Sequence, residues 1–210
     1  CAFAFAQELP PIQNFDPISY NAENQNWAIS QSAEKLIYVA NNKGLLEFNG
    51  ATWKLYTLPN QSIMRSVKVV GDRIYSGSFM EFGYWQKNDV GTLDYLSLTN
   101  RMGIELLEDE EFWNIINIDN YIVFQSLKRI YIYNATDGSI SHINSKSVIT
   151  GIFEVNQSVY FQRLNEGIFK IELGKDVLVS DDEFVKSNEI INIFSEDNGL
   201  LVLTRNNGFY

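Results

Sequence analysis

Residues 36–60 read LIYVANNKGLLEFNGATWKLYTLPN. Two apolar runs, LIYV and GLLEF, flank the polar pair Asn41-Asn42, and Asn49-Gly50 separates the second run from WKLYTL. An Asx-Gly pair between apolar runs is a strong local hairpin signal. Preceded by WAISQ from Trp27, the stretch therefore reads as four short strands joined by tight turns.

The pattern returns four times. RSVKVVGDRIYSGSFMEFGYWQK begins at Arg65, WNIINIDNYIVFQSLKRIYIYN at Trp113, TGIFEVNQSVYFQRLNEGIFKIEL at Thr150, and INIFSEDNGLLVLTRNNGFY at Ile191. Anchored on Ile37, Ile74, Ile122, Val159 and Leu201, the units are spaced by 37, 48, 37 and 42 residues. Helical solenoids share such periods, so strand character decides. The runs are rich in Val, Ile, Tyr and Phe, are broken by Gly, Asn and Asp, and carry no sustained 3.6-residue period. Only 96–112 leaves room for a helical turn. Gly44, Gly83, Gly167 and Gly208 recur just after the second turn, where the third unit has Arg129.

A repeat of four-stranded units predicts an all-β fold, a β-propeller of antiparallel blades. The blades are expected at 24–60, 61–100, 110–146, 147–186 and 187–210, the last one partial, giving about four and a half blades and an unclosed ring. A seven-stranded sandwich also fits the length but lacks the repeat.

Composition narrows the function. The chain has 26 acidic against 16 basic residues, a net charge of −10. An acidic surface argues against contact with nucleic acid or anionic lipid. The N-terminal CAFAFA places an A-x-A site at 4–6, read as the end of a signal peptide cut after Ala6. A short apolar strand, or a lipidated Cys1, are the other readings. Cleavage removes Cys1, so residues 7–210 hold no cysteine for a disulfide, which fits a bacterial periplasm. Sequons occur at Asn60, Asn134 and Asn156, as expected by chance in an Asn-rich chain.

The 36–60 stretch resembles the repeat of the two-component-regulator propellers: an apolar strand, a polar turn, Gly-Leu, an aromatic, an Asn-Gly turn, then Trp. The first unit matches throughout, the second, fourth and fifth in part, and the third is degenerate. The resemblance covers residues 24–210. It implies a periplasmic sensor propeller followed by a triple-tyrosine domain, a membrane helix and a cytoplasmic histidine kinase or helix-turn-helix transcription regulator. The first unit looks nearest to the variants with direct DNA-binding output.

Chemistry within the chain is sparse. The one histidine, His142, lies on a predicted fourth strand without a nucleophile elbow. No His/Cys zinc spacing, calcium loop, P-loop or dinucleotide fingerprint occurs, so no enzyme, metal or cofactor is expected. The acidic runs 108–111 and 181–183 read as solvated loops between blades.

Propeller geometry puts the start of each first strand and each second turn on one rim. The candidate ligand site is therefore Trp27, Arg65 and Trp113 from strand starts, with Glu81, Arg163 and Arg205 from the second turns. Aromatics stack on sugars and Arg forks carboxylates, pointing to a small molecule or glycan. Packing between blades is the alternative role for Trp27 and Trp113, and packing is expected for Trp53 and Trp85. A homodimer, if formed, would arise through the full-length protein, and membrane attachment through a helix outside this chain. A structural propeller holding partners at the cell surface is the second function class, and an exported hydrolase or lyase the third.

Overall fold

The computed structural model describes residues 12–197 and 199–210; the A-x-A site lies outside them. Five antiparallel sheets follow one another along the chain, each in simple up-and-down order. The first comprises β1 (Asn26–Gln31), β2 (Ile37–Asn41), β3 (Gly44–Phe48) and β4 (Trp53–Tyr56). The second comprises β5 (Met64–Val70), β6 (Arg73–Ser78), β7 (Glu81–Lys87) and β8 (Leu93–Ser97). The third runs β9 (Asn114–Ile118), β10 (Tyr121–Gln125), β11 (Arg129–Asn134) and β12 (Ile140–Asn144). The fourth runs β13 (Ile149–Val155), β14 (Ser158–Arg163), β15 (Gly167–Glu172) and β16 (Lys175–Ser180). The fifth has β17 (Ile190–Glu196), β18 (Gly199–Thr204) and β19 (Gly208–Phe209). Among the described residues three short helices accompany them: α1 (Pro17–Tyr20), α2 (Leu98–Met102), within the 96–112 stretch, and α3 (Glu183–Ser187).

Strand alternation explains how the sheets stack. Ile74 packs toward the first sheet and its neighbour Tyr75 toward the third. Ile122 packs back on the second and Val123 forward on the fourth. Both faces of a middle sheet are thus apolar, which is why its second strand reads as a continuous apolar run. The fifth anchor slips by one residue: pairing of Thr204 with Gly208, matching Ser78 with Glu81, makes Leu200 the equivalent of Ile74 rather than Leu201.

The ring is open. The fifth sheet packs on the fourth through β13 and β17. On the first sheet, the backward face meets no blade. Its outer half is covered by Phe15 and Tyr20, which pack with Val39, Leu46 and Trp53. The Phe15 ring sits 5.0 Å from Phe48 and 5.4 Å from Trp53. Among the described residues nothing packs on the inner half: Ile29, equivalent to the buried Val67, is 70% exposed.

First strands begin irregularly. Register shifts at Asn26/Ala28, Met64/Ser66, Ile149/Gly151 and Ile190/Asn192 leave Trp27, Arg65, Thr150 and Ile191 as the extra residues. In the third sheet Trp113 holds the same place just ahead of β9, donating its N–H to Gln125 O at 2.9 Å. Bulges of this kind end pairing and re-aim one side chain, so the rim positions equivalent in sequence are equivalent in space.

The recurring glycines divide. Gly44, Gly167 and Gly208 share one register, opposite the last residue of the second strand, whereas Gly83 lies two residues further on, opposite Ser76. Gly167 has φ +131°, and a Cβ there would lie 2.1 Å from Ser180 O on the neighbouring strand. Gly167→Ala should therefore destabilise the chain by roughly 2–4 kcal/mol, measured by denaturant unfolding. Gly138→Ala, at φ +75° with open space around it, should cost less than half of that.

Candidate ligand site at the rim

Three of the six residues singled out in the sequence meet. The Arg65 guanidinium lies 4.2 Å from the Trp27 ring centre and 4.8 Å from that of Trp113. The two indoles touch edge to face at 5.8 Å. They come from the first and third sheets and meet across the inner end of the second. Each of the three holds the strand-start position described above.

Polar contacts fix the cluster. Trp27 Nε1 donates to Asn42 Oδ1 at 2.8 Å, and Asn42 Nδ2 donates to Glu23 Oε2 at 3.0 Å. Arg65 donates from Nε and Nη2 to one carboxylate oxygen, Oε1 of Glu111, at 3.3 and 2.9 Å. The Arg65 side chain is 13% exposed, while Trp27 is 40% exposed and offers its free surface to solvent. The indole Nε1 of Trp113 is buried without a hydrogen-bond partner among the described residues.

Glu111 was not singled out in the sequence, and the run 108–111 is not simply a solvated loop. Glu108 and Asp109 are exposed, but Glu110 is buried and Glu111 half-buried. Glu110 accepts from Ser126 Oγ at 2.5 Å, Tyr131 OH at 2.9 Å and Leu107 N at 3.0 Å. Burial, with the Glu110 carboxylate beside it, pushes the Tyr131 hydroxyl up to about 12. Phe79 and Glu111 form an isolated antiparallel bridge, so this loop crosses the tops of the second and third sheets. Between the loop, Trp113 and the turn at 126–128 lies a cavity of about 200 Å³. The signal for Glu111 was its place two residues before Trp113; its partner lies 46 residues away in sequence.

The other three residues lie apart from the cluster. Arg163 runs outward over Phe169, 4.5 Å from the ring centre, to Asp176 on the outermost strand at 2.7 Å. Arg205 is exposed and pairs with Glu189 through two 2.7 Å bonds. Glu81 is buried within the second sheet, accepting from Tyr95 OH at 3.1 Å and Ser97 Oγ at 2.9 Å. Burial raises the Glu81 carboxyl, and burial plus Glu81 holds the Tyr95 hydroxyl well above its usual range. His142 is exposed on β12, its ring 5.7 Å from Tyr131. Trp85 is buried and donates to Ser76 Oγ at 3.0 Å. Among the described residues no three His, Cys, Asp or Glu side chains converge as a metal site, and no helix is long and apolar enough to cross a membrane.

No protein-family model and no curated protein matches the chain. Solved structures do. Virginiamycin B lyase from Staphylococcus aureus superposes with a TM-score of 0.62 at 15% identity, over 85% of this chain and 64% of that one. A domain assigned as the extracellular part of a one-component system of B. thetaiotaomicron gives 0.65 at 12% identity, over 87% and 26%. The computationally designed Ika8 protein gives 0.65 at 14%, over 88% and 57%. The chain is a β-propeller in fold. It spans 64% of the lyase's length and about a quarter of that extracellular domain's.

Two outcomes follow. Arg65→Ala leaves Glu111 half-buried and unpaired and removes the cation from two indole faces, so it should cost roughly 2–3 kcal/mol in denaturant unfolding. Glu81, its pKa raised in the fold, stabilises most below its usual 4.5 and loses that contribution as pH rises through the raised value. Glu81→Gln should flatten this part of a pH-stability profile, and a profile identical to that of the unsubstituted chain would count against the assignment.

Proposed function

We propose that this chain is the ligand-sensing, non-catalytic propeller of an extracytoplasmic, membrane-anchored regulator, with its ligand at the Trp27 rim. The observation that carries the reading is Trp27. It is a large indole exposed at a rim yet locked by Asn42 and Glu23, and its orientation is fixed before any ligand arrives. A rigid, pre-oriented aromatic gives contact area at little entropic cost. The likeness to the extracellular domain of a one-component system and the two-component-regulator resemblance of residues 36–60 support the same reading.

Chemistry narrows the ligand class. Arg65 already directs two donors to Glu111, so a carboxylate ligand would have to displace a bonded side chain. Glu23 adds negative charge beside Trp27 through Asn42, and Glu108 and Asp109 line the cavity next to Trp113. An uncharged small molecule or glycan, stacking on Trp27 and bonding to these carboxylates, suits the surface better than an anion. The output domain, a kinase or a helix-turn-helix regulator, belongs to the remainder of the full-length protein, as does any homodimer. This segment contacts no nucleic acid, in keeping with its net charge of −10.

A panel of neutral mono- and oligosaccharides, screened by intrinsic tryptophan fluorescence and calorimetry, tests the proposal. At least one should bind. Trp27→Ala should abolish that binding while costing roughly 1–3 kcal/mol, because it also removes the Asn42 bond and the contacts with Arg65 and Trp113. The variant is therefore titrated where its unfolding curve shows it folded. Binding that survives Trp27→Ala would move the ligand elsewhere. Absence of any binder, with stable capture of another cell-surface protein, would favour the assembly role.

A further inference from the structure

The wedge between neighbouring sheets widens outward and must be filled by large side chains. In the first two wedges rings fill it. Tyr38 and Tyr75 face forward from the second strands of the first and second sheets, and the equivalent residue of the third sheet is Val123. Tyr84 faces forward from β7, opposite Tyr75; its equivalent, opposite Val123, is Ile132. Trp85 and Tyr133 face backward from the third strands of the second and third sheets; the equivalent in the fourth is Ile171. At two matched positions, therefore, the wedge between the third and fourth sheets has Val123 and Ile171 where both earlier wedges have rings, and at a third it has Ile132 where the second wedge has Tyr84 and the first has Glu47.

The consequence is measurable. A groove of about 510 Å³ opens there, lined by Val123, Ile132, Val159 and Ile171. The matching wedge of the first two sheets, lined by Tyr38 and Ile74, retains about 130 Å³. The groove falls within the roughly 300–1,000 Å³ of small-molecule sites. It opens among the first turns, at Asp119 and Gln157, on the face of the disc opposite the Trp27 rim. Its wall includes two hydroxyl-bearing residues, Tyr121 and Ser141. Lys170 and Glu172 also line the groove at its edge; on β15 they alternate with Ile171 and pair with each other at 3.1 Å, so their charges are already matched.

We propose that this groove is a second binding site, taking a compact, uncharged aromatic molecule of the phenol or indole class. Such a molecule supplies the ring that side chains supply in the other wedges, and its hydroxyl or N–H meets the hydroxyls at the wall. The site stands independently of the ligand at the rim.

The test uses 4-methylphenol and indole, titrated into the full chain by saturation-transfer NMR and calorimetry. At least one should bind saturably. Ile171→Trp places there the ring that Trp85 places between the first two sheets. It should lower the affinity at least about tenfold, a loss of about 1.4 kcal/mol, while the melting temperature holds or rises. Trp27→Ala should leave this binding unchanged, which separates it from the rim. No saturable binding of either probe, or unchanged affinity in folded Ile171→Trp, overturns the proposal. Should Ile171→Trp fold poorly, Val123→Tyr in the same titration decides by the same criterion.

Discussion

An antiparallel sheet in a radial stack has two faces, and each is buried only by a neighbouring sheet. That constraint governs this chain from the strands upward. It requires second strands that are apolar on both sides and side chains that grow with distance from the axis. It requires some other cover wherever a neighbour is missing. Phe15 and Tyr20 provide such cover over the outer half of the first sheet, and Ile29 marks where it stops.

Much of this was legible in the sequence because the determinants are local. Apolar runs of four to six residues, separated by Asx-Gly or Asp-Asn turns, specify hairpins within one unit, and repetition of the unit specifies the stack. The rim trio was legible for a related reason: Trp27, Arg65 and Trp113 hold one position in three copies of a repeat. The direction of these side chains was not legible, because it does not follow strand alternation. Bulges at the first-strand starts break the period of two and aim Trp27 and Arg65 at the rim.

What escaped the sequence is non-local. Arg163 sits at a second-turn position like the others, but its long side chain runs outward along Phe169 to a carboxylate on the outermost strand. Glu110 and Glu111 look like members of an exposed acidic run. One is drawn inward by Ser126 and Tyr131, the other by Arg65, and none of these partners is near in sequence. Charged side chains follow their partners, so their direction cannot be read until the sheets have been placed.

The Trp27–Arg65–Trp113 contact also bears on the order of assembly. Hairpins close loops of a few residues and form early, whereas contacts between distant residues wait on the entropy of closing long loops. The two indoles belong to sheets that are not neighbours, and the cation between them belongs to the sheet they flank. Their contact therefore has no partner geometry until all three sheets are seated side by side. It can form only after these three sheets have met, adding nothing to the individual hairpins and holding the three inner strand ends together.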